Sequence, residues 1–253
     1  LEVMRVVSQE EIAPAIFELV LEGEMVEAMK AGQFLHLRVP DDAHLLRRPI
    51  SISSIDKLKK QCHLIYRIEG SGTAIFSSLK PGDSLDVMGP QGNGFDLSGL
   101  NKDSKILLVG GGIGVPPLLE VAKQLHERGV EITTVLGFST KDAVILDDEL
   151  TKYSQVFVTT DDGSYGIKGN VSVMIKEFDT EFDAVYSCGA PGMMKYINRT
   201  FYAHPRAYLS LESRMACGMG ACYACVLKVP DSETVSQRVC EDGPVFKTGT
   251  VVL

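Results

Sequence analysis

A chain of 253 residues, 45% of them hydrophobic, can bury a sizeable core and has the length of two or three modules. A formal net charge of -8 leaves no basic face, so nucleic acid and anionic membrane surfaces are excluded as expected partners. The longest apolar runs, such as ILLVGGGIGVPPLL at 106–119, are broken by Gly and Pro, and the opening LEVMRVVSQEE lacks the regions of a signal peptide; the expected location is the cytoplasm.

Through residue 98 the chain is a series of short β-like runs, RVVSQEEI, IFELVLEG, QFLHLRV, CHLIYRIEG and SLDVMG. Turns such as KAGQF, KPGDS and GPQGNG punctuate them, and helical periodicity shows only around TAIFSSLK. Some six strands at this spacing predict a small antiparallel β-barrel over 1–98. Two polar stretches interrupt it, one around Arg47 and Arg48 and one from Tyr66 to Thr73. From the residues alone, solvated strand ends and a turn describe them.

Residues 99–211 follow a different pattern. KILLV at 105–109 runs into GGGIGVPPLLEVAKQLHERG, which reads as strand, glycine loop and helix. Leu118, Leu119, Val121, Ala122 and Leu125 take helical spacing, Pro116 and Pro117 suit the first turn, and Gly129 is placed to stop it. Gly110, Gly111, Gly112 and Ile113 are thereby candidates for a pyrophosphate at a helix N-terminus, although the loop is not the G-x-G-x-x-G fingerprint and a plain tight turn fits it too. EITTVL, QVFVTT, DAVYSC and RAYLSL then alternate with helix-like ILDDELTKY, NVSVMIKEF and PGMMKYINRTFY, the pattern of a doubly wound parallel sheet with ligands at the strands' carboxyl ends. At one such end, Cys188 and Gly189 either lie beside a nicotinamide ring or simply close a buried strand. At another, 136–140, there is no arginine for a 2′-phosphate and no acid immediately at the tip for a ribose diol.

Four of the six cysteines gather in 212–253, as Cys217-x4-Cys222-x2-Cys225-x14-Cys240. In a reducing compartment such a set holds a metal or does redox work rather than forming disulfides. Zinc is the rival, but structural zinc sites usually pair two C-x2-C knuckles and only Cys222 and Cys225 make one. The spacing C-x4-C-x2-C followed by a distant Cys is that of plant-type [2Fe–2S] clusters. Gly218 and Gly220 would let backbone N–H groups approach such a cluster. The histidines at 36, 44, 63, 126 and 204 are scattered, no Ser-His-Asp set suggests itself, and no catalytic acid or base is assigned.

Taken together, the first 210 residues resemble the ferredoxin-NADP reductase superfamily, in which a flavin-binding barrel precedes a nicotinamide-binding α/β domain. Its Arg-x-x-Ser motif is matched by Arg48, Pro49, Ile50 and Ser51, which implies Arg48 on the FAD phosphate and Ser51 near flavin N5; many members have Tyr where Ile50 stands. Its Gly-x-x-Ser/Thr motif is matched by Gly70, Gly72 and Thr73, and Ile65, Tyr66 and Arg67 just before it are implied as further flavin contacts. With LLRRPISI, GPQGNGF, LVGGGIGVPPL, DGSYG and CGMGACYACV added, the whole chain resembles the electron-transfer subunits of B-type dihydroorotate dehydrogenase. The resemblance implies FAD, NAD as substrate, and a [2Fe–2S] cluster on Cys217, Cys222, Cys225 and Cys240. It also implies an FMN-containing catalytic subunit as partner, in a heterotetramer of two of each chain, with Met219, Ala221 and Tyr223 near the interface unless they merely cover the cluster. A hydride carries two electrons and such a cluster takes one, so a flavin between them meets a physical need. Two alternatives stay open: a related reductase, such as the small subunit of a bifurcating NADPH-ferredoxin transhydrogenase or a sulfide dehydrogenase, and a zinc-stapled binding module that is no enzyme.

Overall fold

The computed structural model describes residues 1–178 and 181–253. In the first part, β1 (Glu2–Ala13), β2 (Ile16–Glu22), β3 (Phe34–Leu37), β4 (Arg48–Asp56), β5 (Gln61–Arg67) and β6 (Ser84–Gln91) form the strands, with the short helix α1 (Ser71–Phe76) between β5 and β6. Alternate residues turn inward: Leu19 and Leu21, Leu35 and Leu37, Cys62, Leu64 and Tyr66, Leu85 and Val87 share one core. The order β1-β2-β5-β4-β3-β6 closes on itself through β6 and β1, and every neighbour is antiparallel. Closure leaves no exposed edge and needs no second sheet to cover the core. The expected barrel is there, but β4 was legible only as a polar insertion. Arg48, Pro49 and Ser51 stand on a strand whose apolar members, Ile50, Ile52 and Ile55, alternate with serines.

The second part runs β7 (Lys105–Gly111), α2 (Pro116–His126), β8 (Glu131–Phe138), α3 (Asp147–Thr151), β9 (Gln155–Thr160), β10 (Ile167–Lys168), α4 (Val171–Ile175), β11 (Ala184–Cys188), α5 (Pro191–Thr200) and β12 (Ala207–Ser210). Beyond these lie a hairpin, β13 (Val226–Lys228) with β14 (Ser236–Arg238), and a last strand, β15 (Val245–Lys247). The sheet order is β10-β9-β8-β7-β11-β12-β15. From β7 the chain winds outward one way through β8 to β10 and then returns to the other side with β11, so the switch point lies between β7 and β11. That crevice is where open α/β sheets take ligands. Helix α2 has Pro at its first two positions, buries Leu118, Val121, Ala122 and Leu125, and ends before Gly129 at φ +73°.

One expectation about the sheet needs correction. It is parallel only through β12; β15, which follows the last cysteine, adds an antiparallel edge by pairing Leu209 with Phe246. The cysteine segment is therefore stitched into the sheet instead of hanging beyond it, and Phe246 and Val251 share a core with Leu209, Cys225 and Cys240. A run as short as Val-Phe-Lys carries no periodicity to read, and an antiparallel edge on a parallel sheet is common.

Candidate functional site

At the switch point a cavity of about 830 Å³ opens between the two parts. Gly111, Gly112, Ile113 and Gly114 form one wall, Gly189 and the first turns of α5 another, and Gly137, Phe138, Ser139 and Asp161 the far end. Arg67, Glu69 and Glu212 close the barrel side. The loops after β7 and β11 meet backbone to backbone: a Cβ on Gly114 would lie 2.5 Å from the Gly189 nitrogen and 2.6 Å from the Cys188 carbonyl. Glycine is required for that approach. Gly112, at φ +53° with nothing near its missing Cβ, faces open space where a ligand's backbone contacts belong. Gly110 does other work, packing against Val115, Leu118 and Leu136.

Cys188 closes a buried strand. It is 3% exposed, its thiol is pushed up to about 12 by burial and secondarily by the Glu212 charge, and the cavity is lined by its neighbour Gly189 instead. Glu212 lines the cavity and is solvent-accessible there, with much protein around it. Burial, followed by the like charge of Glu69, raises its carboxyl, and Arg67 opposes this. Glu69, Glu212 and Asp161 were not legible as site residues, because strand ends distant in sequence bring them to one cavity.

On the barrel, the two arginines divide. Arg47 is structural: it pairs with Asp86 at 2.9 Å and donates to the Asp86 carbonyl at 3.0 Å. Arg48 has no carboxylate partner among the described residues and donates only to the carbonyls of Leu46 and Arg47, at 2.6 and 3.4 Å. Its guanidinium lies over Gly72, where a Cβ would come within 2.8 Å of Nε. A cation packed on the first turn of α1, itself the positive end of a helix, sets two positive groups side by side, an arrangement that suits an anion. Thr73 shapes that turn, its Oγ1 accepting the N–H groups of Glu69 and Gly70 at 3.0 and 3.2 Å. Pro49 pairs with His36 and Ser51 with Phe34, while Ile50 packs against the barrel core. Ile65 and Tyr66 are buried, and the Tyr66 hydroxyl accepts from Gln9 at 2.7 Å inside the barrel, so only their backbone is available to a ligand.

No Ser-His-Asp set suggests itself in the sequence, but the fold brings three such residues into hydrogen-bond contact. His44 Nδ1 lies 2.8 Å from the Asp41 carboxylate and Nε2 lies 2.7 Å from Ser71 Oγ. Ser71 opens α1, so this chain of hydrogen bonds pins the loop before Arg48 to that helix.

The cysteines converge as two pairs. Cys217 Sγ accepts the N–H groups of Met219 and Cys222, each at 3.4 Å, and Cys225 Sγ lies 3.3 Å from Cys240 Sγ, which accepts the Gly220 N–H at 3.2 Å. Those amides, Met219's foremost, hold the Cys217 thiol down to about 7, whereas burial and then Cys225 push Cys240 up to about 11. Two thiol pairs suit two irons. A structural zinc site usually pairs two C-x2-C knuckles, and this chain has only the one formed by Cys222 and Cys225. The donor set therefore fits a binuclear cluster.

Gly218 and Gly220 sit at φ +67° and +77°, and the loop they shape rests directly on the barrel. His36, on β3, is fully buried with neither ring nitrogen partnered, and burial lowers it to about 4. The Asn93 side chain donates to the carbonyls of Glu241 and Asp242, both at 3.1 Å, so the GPQGNGF turn holds the cysteine segment. Met219 and Tyr223 are each 58% exposed beside the cysteines.

Family models match along this architecture: an oxidoreductase FAD-binding domain at 3–95, an oxidoreductase NAD-binding domain at 108–199, and the iron-sulfur cluster binding domain of dihydroorotate dehydrogenase B at 212–252. A protein of Streptococcus pneumoniae named dihydroorotate dehydrogenase B (NAD(+)), electron transfer subunit, is 84% identical over 253 residues, covering 100% of this chain and 99% of its own. The chain belongs to the family of dihydroorotate dehydrogenase B electron-transfer subunits. A Geobacillus kaustophilus member of that family is 51% identical over 254 residues, covering 100% of this chain and 98% of its own. Among solved structures, an NADH-dependent reduced ferredoxin-NADP oxidoreductase, described in connection with flavin-based electron bifurcation, superposes with a TM-score of 0.87 at 30% identity over 100% of this chain and 90% of its own. A ferredoxin NADP+ reductase of Neisseria gonorrhoeae with FAD and NADP bound shares the fold alone, at 16% identity and a TM-score of 0.64 over 81% of this chain and 91% of its own. As a member of this family the chain carries FAD-, NAD- and iron-sulfur-binding domains.

Proposed function

We propose that this chain is the electron-transfer half of an NAD-dependent dihydroorotate dehydrogenase, coupling the oxidation of dihydroorotate on a partner catalytic subunit to NAD+ reduction in pyrimidine biosynthesis. The observation that carries the reading is the packing of the cysteine loop, through Gly218, against His36 on β3, the neighbour of the strand that bears Arg48 and Ser51. Bound in these sites, FAD and a [2Fe–2S] cluster supply the conversion between a two-electron hydride and single electrons.

In this reading Arg48 and the turn at Gly72 and Thr73 hold the flavin phosphates, with Ser51 toward the ring. Gly111, Gly112, Ile113 and Gly189 admit the nicotinamide dinucleotide, and Cys188 supports that wall from beneath. Arg67, Glu69 and Glu212 set the charge where the two cofactors meet. Cys217, Cys222, Cys225 and Cys240 ligate the cluster, and the amides of Met219, Gly220 and Cys222 stabilise its charge. Exposed Met219 and Tyr223 then belong to the interface with the partner, an FMN-containing subunit, in an assembly of two of each chain; Arg238 already braces the Tyr223 ring from 5.2 Å. No helix among the described residues is long and apolar enough to cross a membrane, and the reading places the protein in the cytoplasm.

The superposition on a ferredoxin-NADP oxidoreductase favours one second reading, a reductase serving a ferredoxin. Purification from the native cell, followed by flavin, iron and sulfide analysis and reconstitution, decides between them. The expected product is yellow-brown, holds one FAD and two irons per chain, and confers NAD+-dependent dihydroorotate oxidation on its co-purified partner. A monomer that binds no such subunit yet rapidly reduces ferredoxin transfers the assignment to the second reading. A colourless zinc protein rejects both.

A further inference from the structure

Glu120 lies in the middle of α2 and lines neither the cavity nor the cysteine site, yet it is 5% exposed where the helix packs on β4. Burying a charge there is costly unless it is paired and hydrogen-bonded, and an apolar side chain of the same size would pack without that cost. Its bonds are directional ones across the two parts of the fold. Oε2 accepts the backbone N–H of Ile55, on β4, at 2.9 Å, while Oε1 accepts the Gln124 amide at 2.9 Å. Lys123, on the same helix, lies 3.4 Å from Oε2 and donates to Ser54 Oγ at 2.7 Å. Two consecutive residues of β4 are thus gripped by two side chains of α2. The grip has a place to act because β3 pairs with β4 only through Ser51, and the β4–β5 register shifts between Ile52 and Ser54.

Both gripped elements lead straight to the reacting groups. Glu120 is four residues beyond Pro116, about 6 Å along the helix from the glycine loop. Ile55 is four residues beyond Ser51, about 13 Å along the strand from the flavin motif. We propose that Glu120, with Lys123, is a positioning residue that fixes the separation between flavin and nicotinamide for hydride transfer. This rests on the flavin and nicotinamide reading above. It assigns no chemistry to Glu120; the carboxylate acts through β4.

The test uses the assembled holoprotein, reduced anaerobically with NADH in a stopped-flow instrument. Glu120→Ala should lower the limiting rate of flavin reduction by about ten- to a hundredfold, because a misplacement on the ångström scale is enough for that loss. FAD content and NADH affinity should stay within about threefold of wild type, and the long-wavelength charge-transfer band of the NADH complex should weaken. Glu120→Gln keeps an acceptor for the Ile55 N–H and should recover most of the rate and the band. Lys123→Met, which keeps the bulk of the stem but removes the bond to Ser54 and the cation beside Glu120, should show a smaller loss of the same kind. A Glu120→Ala protein that melts lower but is reduced at the wild-type rate overturns the proposal, as does failure of Gln to rescue. If Ala does not fold, Gln and Met alone decide, since wild-type rates in Lys123→Met refute the clamp. A wild-type protein that binds no flavin fails the underlying reading, a different outcome.

Discussion

Replacing Gly218 by Ala should expel the cluster while leaving the barrel folded. A Cβ at this position would lie 2.3 Å from His36 Nδ1, 2.9 Å from its Cε1 and 3.0 Å from the Met88 methyl. The histidine cannot retreat, since it is fully exposed to no solvent at all and sits on β3 between β4 and β6. Overpacking of this kind costs about 1–3 kcal/mol. The left-handed φ of +67° adds roughly 1–2 kcal/mol for any residue with a Cβ. The total, about 3 kcal/mol, is about a hundredfold in an equilibrium. The loop yields before the barrel does, because its own bonds are few and its neighbours Met219 and Tyr223 are exposed. Chelator-driven iron loss should therefore be about a hundredfold more favourable than in wild type, with FAD content and melting temperature little changed. A double-mutant cycle separates the two contributions. In a His36→Ala background most of the steric share should vanish, leaving the backbone strain and the lesser contact with Met88. An equal effect of Gly218→Ala in both backgrounds would refute the reasoning.

His36 also sets a pH dependence. Its folded value of about 4 lies below the ordinary 6.5, so between these the unfolded chain binds more protons, and stability is lost as pH falls through that window, by up to about 3 kcal/mol. Urea midpoints at pH 7 and pH 5 should diverge in wild type and much less in His36→Leu. In the cluster-free chain Cys217 should be alkylated first, with a half-maximal rate near the pH of about 7 to which its thiol is lowered, while Cys62, raised to about 12 by burial, stays unmodified in peptide maps. Cys222→Ser should lose iron and labile sulfide but keep FAD, as absorbance and metal analysis will show. Asp161→Asn should raise the kcat/KM for NADPH relative to NADH, because a carboxylate lining the cavity would accept a ribose hydroxyl and repel a 2′-phosphate; an unchanged ratio removes Asp161 from that role.

The cysteine spacing and the glycine loop were legible because each is local: a few residues close together in the sequence meet one chemical demand. The barrel strands and α2 were legible through their periods of two and about 3.6. The missing pieces share a different character. β4 was obscured by Arg48, Pro49 and the serines, whose polarity serves a site rather than a core. Asp161, Glu69 and Glu212 come from three separated strand ends, and Asp41, His44 and Ser71 meet only once the loop before β4 folds back on α1. Tyr66 shows the converse. It follows the pattern of a site residue in sequence, but its inward register in β5 sends the ring into the core between Phe17 and Phe76.

The position of the cluster loop is decided by elements that carry no cysteine. On one side Gly218 meets His36, and Asn93 and Gly92 grip the chain at 241–244. On the other, β15 fixes the end of the segment to the sheet at Leu209, one residue from the Ser210 that pairs with Cys188. The register that closes the barrel and the register that extends the sheet thus both constrain the same loop. A rigid placement of this kind suits single-electron exchange with the flavin strand, where no large motion is required. What freedom remains lies at exposed Met219, Ala221 and Tyr223, the last with Arg238 over its ring, and in the proposed assembly it is there that a partner would act on the cluster without disturbing either register.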